Sequence, residues 1–308
     1  MRKIGSLEVS VVGLGCNNFG GRLDAERTAG VVRAALDAGM NFFDTADIYG
    51  GTRSEEYLGR ALGPRRADVV LATKFGMEVD PRRKGARPEY LRHALEDSLR
   101  RLRTDFVDLY QLHQPDPTVP IADTLGALDD LVKAGKVRET GCSNFSPAQT
   151  VEAERAVLPG NARFVSVQNE YSLLHRDPED GVLETCRRLN LAFIPFFPLA
   201  SGLLTGKYRQ GQVPLKGSRL SEGGRYQRWL SDAKLAVVEK LITYAESRGH
   251  TILELAISWL ACQPAVASVI AGATAPAQVV ANARAADWKL SPEDLRLVDR
   301  ILGSRSND

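Results

Sequence analysis

Residues 25–50 read AERTAGVVRAALDAGMNFFDTADIYG. The first half carries Val31, Val32, Ala35 and Leu36 at the spacing of a helix with one apolar face, and Gly39 acts as its stop signal. The period then changes. Asn41-Phe42-Phe43-Asp44 is an apolar run of strand length, and it empties into the polar side chains of Asp44 and Tyr49. A helix, a glycine turn, a buried strand and then reactive side chains make one unit of a parallel α/β sheet.

The same unit recurs along the chain. Further runs of strand length are Val11-Val12-Gly13-Leu14, Val69-Val70-Leu71-Ala72-Thr73, Phe106-Val107-Asp108-Leu109-Tyr110 and Val137-Arg138-Glu139-Thr140-Gly141. Arg163-Phe164-Val165-Ser166-Val167, Ala192-Phe193-Ile194-Pro195-Phe196 and Ala267-Ser268-Val269-Ile270 complete eight. Helical patterns lie between them, such as residues 88–102 with Leu91, Leu95, Leu99 and Leu102 on one face. The alternation implies a parallel sheet, either closed as a barrel or open and doubly wound. An open nucleotide-binding sheet normally shows GxGxxG after its first strand. Here VGLGCNNFG at 12–20 has Gly13 and Gly15 but lacks the third glycine at the required offset, so it marks tight backbone.

Two regions break the rhythm. Residues 201–232 are Gly-rich, basic and too polar for core, which predicts a lid or binding loop. Residues 233–248 and 252–261 then give two helical patterns where one is expected. We expect one domain over residues 1–308, a length at which α/β barrels commonly form a single unit.

Composition excludes several classes. The 40 basic and 38 acidic residues nearly cancel, and no clustered basic stripe announces a nucleic-acid or membrane surface. No stretch approaches the roughly 20 apolar residues of a membrane span, and the first fifteen residues lack a secretory apolar run. Cys16, Cys142, Cys186 and Cys262 have no ligand spacing and read as reduced thiols of a cytoplasmic protein.

Active sites of parallel barrels sit at the C-terminal rim, so polar residues at the strand ends are the candidates. These are Asp44 and Tyr49, Lys74, His113, Ser143 and Asn144, and Gln168 and Asn169. Any one alone has an ordinary structural explanation. Their concentration at one rim does not.

Seven ordered segments now carry a resemblance: FFDTADIYG (42–50), ATKFG (72–76), DLYQLH (108–113), GCSNF (141–145), QNEYS (168–172), PLASGLLTGK (198–207) and GATAPAQ (272–278). Together they resemble the aldo-keto reductases. The resemblance spans nearly the whole chain and implies a (β/α)8 TIM barrel with an N-terminal β-hairpin and extended rim loops. It also implies reversible reduction of small-molecule aldehydes or ketones, usually with NADP, with NAD possible.

The resemblance assigns a catalytic tetrad to Asp44, Tyr49, Lys74 and His113. The chemistry explains those types. A phenol with a pKa of about 10 is a weak acid at neutral pH, so Tyr49 needs help to protonate the alkoxide. Lys74 stabilises phenolate, Asp44 lowers the cost of burying Lys74, and His113 orients and polarises the carbonyl. Cofactor contacts implied likewise are Ser143, Asn144 and Gln168 at the nicotinamide carboxamide, with Phe196 stacked on its ring. Gly15, Cys16, Asn17 and Asp44 join them at the first strand ends. Pro198, Leu199, Ala200, Gly202 and Lys207 cover the pyrophosphate; Gly272, Ala273, Thr274, Gln278 and Asn282 lie at the adenosine end.

One departure weakens the NADP expectation. Residues 272–278 lack the Lys or Arg that relatives often place against the 2′-phosphate. Thr274, helix-N-terminal amides, or a base from elsewhere such as Lys207 or Arg219 would have to serve. The rim loops at 22–24, 75–87, 113–120 and 201–229 would shape the substrate pocket. Their aromatics (Phe75, Tyr226, Trp229) and arginines hint at a polar or anionic carbonyl. A regulatory subunit that binds cofactor with little turnover is the alternative. A metal hydrolase would need converging ligands, and four scattered histidines predict no metal. A monomer or small homo-oligomer, with neither nucleic-acid nor membrane partner, is expected.

Overall fold

The computed structural model describes residues 1–213, 219–221 and 230–303. Its first two strands, β1 (Arg2–Ile4) and β2 (Leu7–Val9), form an antiparallel hairpin. Gly5 turns it with φ +57°, a conformation that costs other residues a Cβ clash. Glu139 accepts a hydrogen bond from the Ser6 backbone N–H at 2.7 Å. Ile4, Leu7 and Val9 pack with Phe42, Val70, Leu109 and Ile194, so the hairpin plugs the lower end of the sheet.

Eight parallel strands follow: β3 (Val12–Gly15), β4 (Phe42–Asp44), β5 (Val70–Phe75), β6 (Val107–Leu112), β7 (Val137–Ser143), β8 (Phe164–Glu170), β9 (Ala192–Phe196) and β10 (Val269–Gly272). They pair in chain order, with β10 beside β3. The edge strand β9 meets the chain entering β10, where Phe193 N–H donates to Ala265 and Ala267 N–H donates to Phe193 at 2.7 and 2.9 Å. The result is a nearly closed (β/α)8 barrel. The open, doubly wound alternative is thereby removed.

The helices alternate with the strands: α1 (Ala25–Asp37), α2 (Arg53–Leu62), α3 (Pro88–Leu102), α4 (Ile121–Lys133), α5 (Pro147–Arg155), α6 (Val182–Arg188), α7 (Asp232–Ser247), α8 (Ile252–Ala261), α9 (Pro276–Arg284) and α10 (Pro292–Leu302). In α1 the Asp24 carboxylate caps the Arg27 N–H, and Val31, Val32 and Ala35 are buried while Leu36 is half-buried. The extra helical pattern resolves into two layers. Nearly every residue of α8 is buried against the barrel, and α7 packs outside it and on α10.

Several strands run further than the sequence suggested. Backbone pairing carries β5 to Phe75 and β8 to Glu170, because Phe75 still pairs with Leu112 and Glu170 with Phe196. Lys74, Ser143, Gln168 and Asn169 therefore lie inside strand ends rather than after them. Phe75 is corrected outright: it is fully buried, stacked 4.6 Å from Tyr110 on the helix side, and does not face the rim. The loop after residue 201 is also less polar than expected. Leu203, Leu204, Tyr208 and Leu220 are buried. Tyr226 and Trp229 lie outside the described residues.

Candidate active site

Strand alternation sorts side chains along the barrel interior. Phe42 then Asp44 on β4, Ala72 then Lys74 on β5, Leu109 then Gln111 on β6, and Ile194 then Phe196 on β9 all step from apolar at the base to polar or aromatic at the rim. The lower positions seal the barrel with the hairpin. The upper ones converge.

At the centre, Lys74 Nζ lies 2.5 Å from Asp44 Oδ1 and 2.9 Å from the Thr45 carbonyl. Lys74 is 0% and Asp44 4% exposed. Gln168 and Gln111 each donate to Asp44 Oδ2, at 2.9 and 3.2 Å. Burial opposes the charge on Lys74, but Asp44 and then Tyr49 outweigh it, so its pKa rises above the ordinary lysine value. The lysine stays a cation.

Tyr49 is half-buried, with Lys74 Nζ 5.3 Å from its ring centre and the His113 ring 5.8 Å away, edge to face. Burial raises its phenol pKa, Lys74 works against that rise, and the net direction remains upward. Lys74 offsets the penalty of desolvating phenolate without overcoming it. His113 is pushed well below the usual imidazole range, first by burial and then by Lys74, so it is neutral at pH 7. Its Nδ1 is buried without a hydrogen-bond partner among the described residues.

Around this centre Ser143 Oγ donates to the Gln168 carbonyl at 2.7 Å, and Asn144 Nδ2 donates to the His113 carbonyl at 2.9 Å. Asn144 holds φ +62°, which re-aims its side chain across the rim. Asn169 instead donates to the Phe145 carbonyl. Phe196 is half-buried on the inner face of β9, its ring 5.3 Å from that of Phe197.

The segment after β9 is held in an unusual backbone. Phe197, Ala200 and Ser201 have φ of +51°, +45° and +58°, and Gly202 has +101°. Three non-glycine residues in the left-handed region within five positions are strain kept by their surroundings, a feature that clusters at ligand clamps. Pro198 and Ala200 are buried, Leu199 is half-buried, and Ser201 Oγ is buried with no partner among the described residues. A Cβ on Gly202 would stand 3.2 Å from Lys207 Nζ, so the exposed lysine lies back over this turn.

A second group forms where β3 meets β10. Gly15 pairs with Gly272. A Cβ on Gly272 would come within 3.3 Å of Asn18 Nδ2 and 3.4 Å of Asn17 Oδ1, so the glycine lets these two side chains close onto the end of β10. Asn18 donates to the Ala273 carbonyl at 3.1 Å and accepts from Arg219 Nη2 at 2.6 Å. Gln278 Oε1 accepts from the Thr274 N–H, and Asn282 is buried on α9. Cys16 is fully buried, and burial foremost raises its thiol pKa well above the usual range. Its backbone is engaged as well, the N–H donating to the Asp44 carbonyl and the carbonyl accepting from the Phe19 N–H and Ser54 Oγ, so the cofactor contact expected at Cys16 is not what the structure supports.

Sequence reasoning missed Asn18 and Gln111. Asn18 sits in the polar run after Gly15, and Gln111 shares the inner strand face with His113 two residues on. Period two could have found Gln111. No group of three or more His, Cys, Asp or Glu able to hold a metal exists among the described residues. No described helix is long and apolar enough to cross a membrane.

The Aldo/keto reductase family model matches residues 11–302. The chain is 34% identical to the aldo-keto reductase YhdN of Bacillus subtilis, over 98% of this chain and 92% of that protein. It is 36% identical to a probable voltage-gated potassium channel subunit beta of Oryza sativa subsp. japonica, over 93% and 90%. The solved glycerol dehydrogenase AKR11B4 of Gluconobacter oxydans superposes with a TM-score of 0.85 at 32% identity, covering 98% of this chain and 94% of that one.

Proposed function

The chain belongs to the aldo/keto reductase family, and from that premise we propose an NADP(H)-dependent enzyme that reversibly reduces small aldehydes or ketones, with Tyr49 as proton donor. The carrying observation is the buried Lys74–Asp44 pair beside Tyr49 and neutral His113.

The residues present fit a nicotinamide cofactor. The paired Gly15 and Gly272, the strained turn at 197–202 and the Ser201 hydroxyl, without a partner among the described residues, would supply close backbone approach and hydrogen bonding. Ser143, Asn144 and Gln168 would hold the carboxamide, and Phe196 the ring face. The cofactor when bound supplies a hydride to the carbonyl carbon.

The chain's own work is electrostatic. His113, neutral, directs an N–H at the carbonyl oxygen and polarises it without a charge of its own. Tyr49 gives its phenolic proton to the oxygen as negative charge develops there. Lys74 then faces the phenolate, and Asp44 keeps Lys74 charged and in place. Burial excludes water from the pair and strengthens each interaction.

For the 2′-phosphate, the absence of a cation at 272–278 is offset by Arg219, whose guanidinium reaches Asn18 and through it Ala273. This favours NADP over NAD. The test is an absorbance assay of NADPH and NADH across aldehydes, ketones and sugars, repeated as oxidation. No consumption of either cofactor would remove the reading.

The similarity to a channel beta subunit supports a second reading, a cofactor-binding regulatory barrel with little turnover. Cofactor that stays bound through purification, with turnover slower than its exchange, would favour it. A cytoplasmic monomer or small homo-oligomer accompanies either reading.

A further inference from the structure

Asp44 has more donors than its pairing with Lys74 requires. Oδ1 accepts from Lys74, while Oδ2 accepts from Gln168 Nε2 at 2.9 Å and from Gln111 Nε2 at 3.2 Å. Gln168 Nε2 also donates to Gln111 Oε1 at 3.3 Å. An ionised carboxylate only accepts, so both amides turn their NH2 groups toward it. The carbonyl of Gln111 is then left facing Gln168. All three side chains are buried, and they close a triangle.

Gln168 carries two duties in that arrangement. Both hydrogens of its amide are taken by Asp44 and Gln111, which leaves its Oε1 to accept from the NH2 of a nicotinamide carboxamide. Losing the Gln111 anchor would let the amide rotate about its remaining bond to Asp44 and carry Oε1 out of that direction.

We propose that Gln111 is a positioning residue of this active site: its Oε1 holds one hydrogen of the Gln168 amide while Asp44 Oδ2 holds the other, so that Gln168 Oε1 faces the nicotinamide carboxamide. This rests on the nicotinamide reading above. Gln111 pairs in register with Lys74 on one side and Gly141 on the other. A Cβ on Gly141 would lie 3.3 Å from Gln111 Cγ and 2.5 Å from Ser166 Oγ. The side chain missing at 141 is therefore part of the space Gln111 occupies. Gln111 acts on the cofactor through Gln168 and on Lys74 through Asp44.

The test is a four-member cycle: wild type, Gln111→Met, Gln168→Met and the double variant, each titrated with NADPH by fluorescence and unfolded in urea. Methionine has similar length and cannot donate. With Gln168 present, Gln111→Met raises the NADPH Kd about tenfold, because the Gln168 amide loses one of its two anchors. With Gln168 already replaced, the same change moves Kd by less than about twofold. Equal losses in both backgrounds, which a merely structural role produces, overturn the proposal, as does an unchanged Kd in the first. Should Gln111→Met fail to fold, Gly141→Ala with Ser166→Ala displaces Gln111 by a few tenths of an ångström while relieving the hydroxyl clash. Its Kd rises several-fold only when Gln168 is present, and the opposite result again overturns it. Wild type that binds neither NADPH nor NADH removes the nicotinamide reading itself; normal wild-type binding with an unresponsive Gln111→Met removes this inference alone.

Discussion

Lys74 Nζ stands 2.5 Å from Asp44 Oδ1 with both side chains closed to solvent, so each charge is the other's condition for being buried. Two further donors, Gln111 and Gln168, complete the carboxylate, and the Thr45 carbonyl takes another hydrogen of the ammonium. A charge pair this well satisfied holds its geometry at the rim of the barrel.

Removing one member leaves the other uncompensated. Lys74→Met is expected to lower unfolding free energy by about 3–5 kcal/mol, measured by urea titration. Turnover falls with it, since the phenolate of Tyr49 loses its cation. A variant of wild-type stability and activity would contradict the role of the pair.

Tyr49→Phe separates chemistry from binding. The variant keeps the ring and loses the proton, so kcat is expected to drop about 10²–10⁴-fold while the cofactor Kd changes less than about twofold. Stopped-flow and equilibrium titration together read both quantities. Unaltered turnover would exclude Tyr49 as the acid.

Asp47 supplies a pH prediction. Both its oxygens are buried without partners among the described residues, and burial foremost, then Glu55, pushes its pKa up to about 7. A folded pKa above the unfolded value means that the native state binds the proton more tightly. Its stabilising contribution is full below the unfolded value near 4 and is lost as pH rises through about 7. Asp47→Asn, fixed neutral, should gain about 2–4 kcal/mol over wild type in going from pH 4 to pH 8. Urea titrations at the two pH values check it, and a constant difference between the proteins would refute it.

His113 has the opposite sign. Its folded pKa is lowered, chiefly by burial, so the unfolded chain binds the proton more tightly. The stability it contributes is present above the unfolded value of about 6.5 and declines as pH falls below it. His113→Gln should flatten this acid limb of the stability profile; an identical limb in the variant would assign it elsewhere.

Arg219 tests the proposed preference for NADP. Its hydrogen bond to Asn18 brings a guanidinium to the Ala273 end of the site. Arg219→Ala is expected to lower kcat/KM for NADPH about 10–100-fold and leave NADH within about threefold. Equal losses for both cofactors would show that Arg219 holds the loop without reading the phosphate.

The residues that were legible and those that were not differ by a physical criterion. Val31, Val32 and Ala35, or Leu91, Leu95 and Leu99, declare a helix face because burial acts locally and repeats with the backbone period. The eight strand runs and the polar residues ending them were legible for the same reason. Phe75 was misread as a rim aromatic because strand length depends on the partner: its pairing with Leu112 keeps it in the sheet, and alternation then turns it outward onto Tyr110. Asn18 and Gln111 were missed because their importance lies in what comes to meet them from positions 219, 273, 44 and 168.

By itself, the sequence determined the alternation of helix and strand and the residue types delivered to one rim, since both follow from local periodicity and side-chain chemistry. Only the tertiary structure decided that the sheet closes, because closure depends on Phe193 meeting Ala265 and Ala267 across more than seventy residues of chain. It also decided the balance of charge at the centre. How far burial raises the Tyr49 phenol, how far Lys74 counters it and which amides complete Asp44 depend on distances in a low-dielectric interior, which no order of residues specifies.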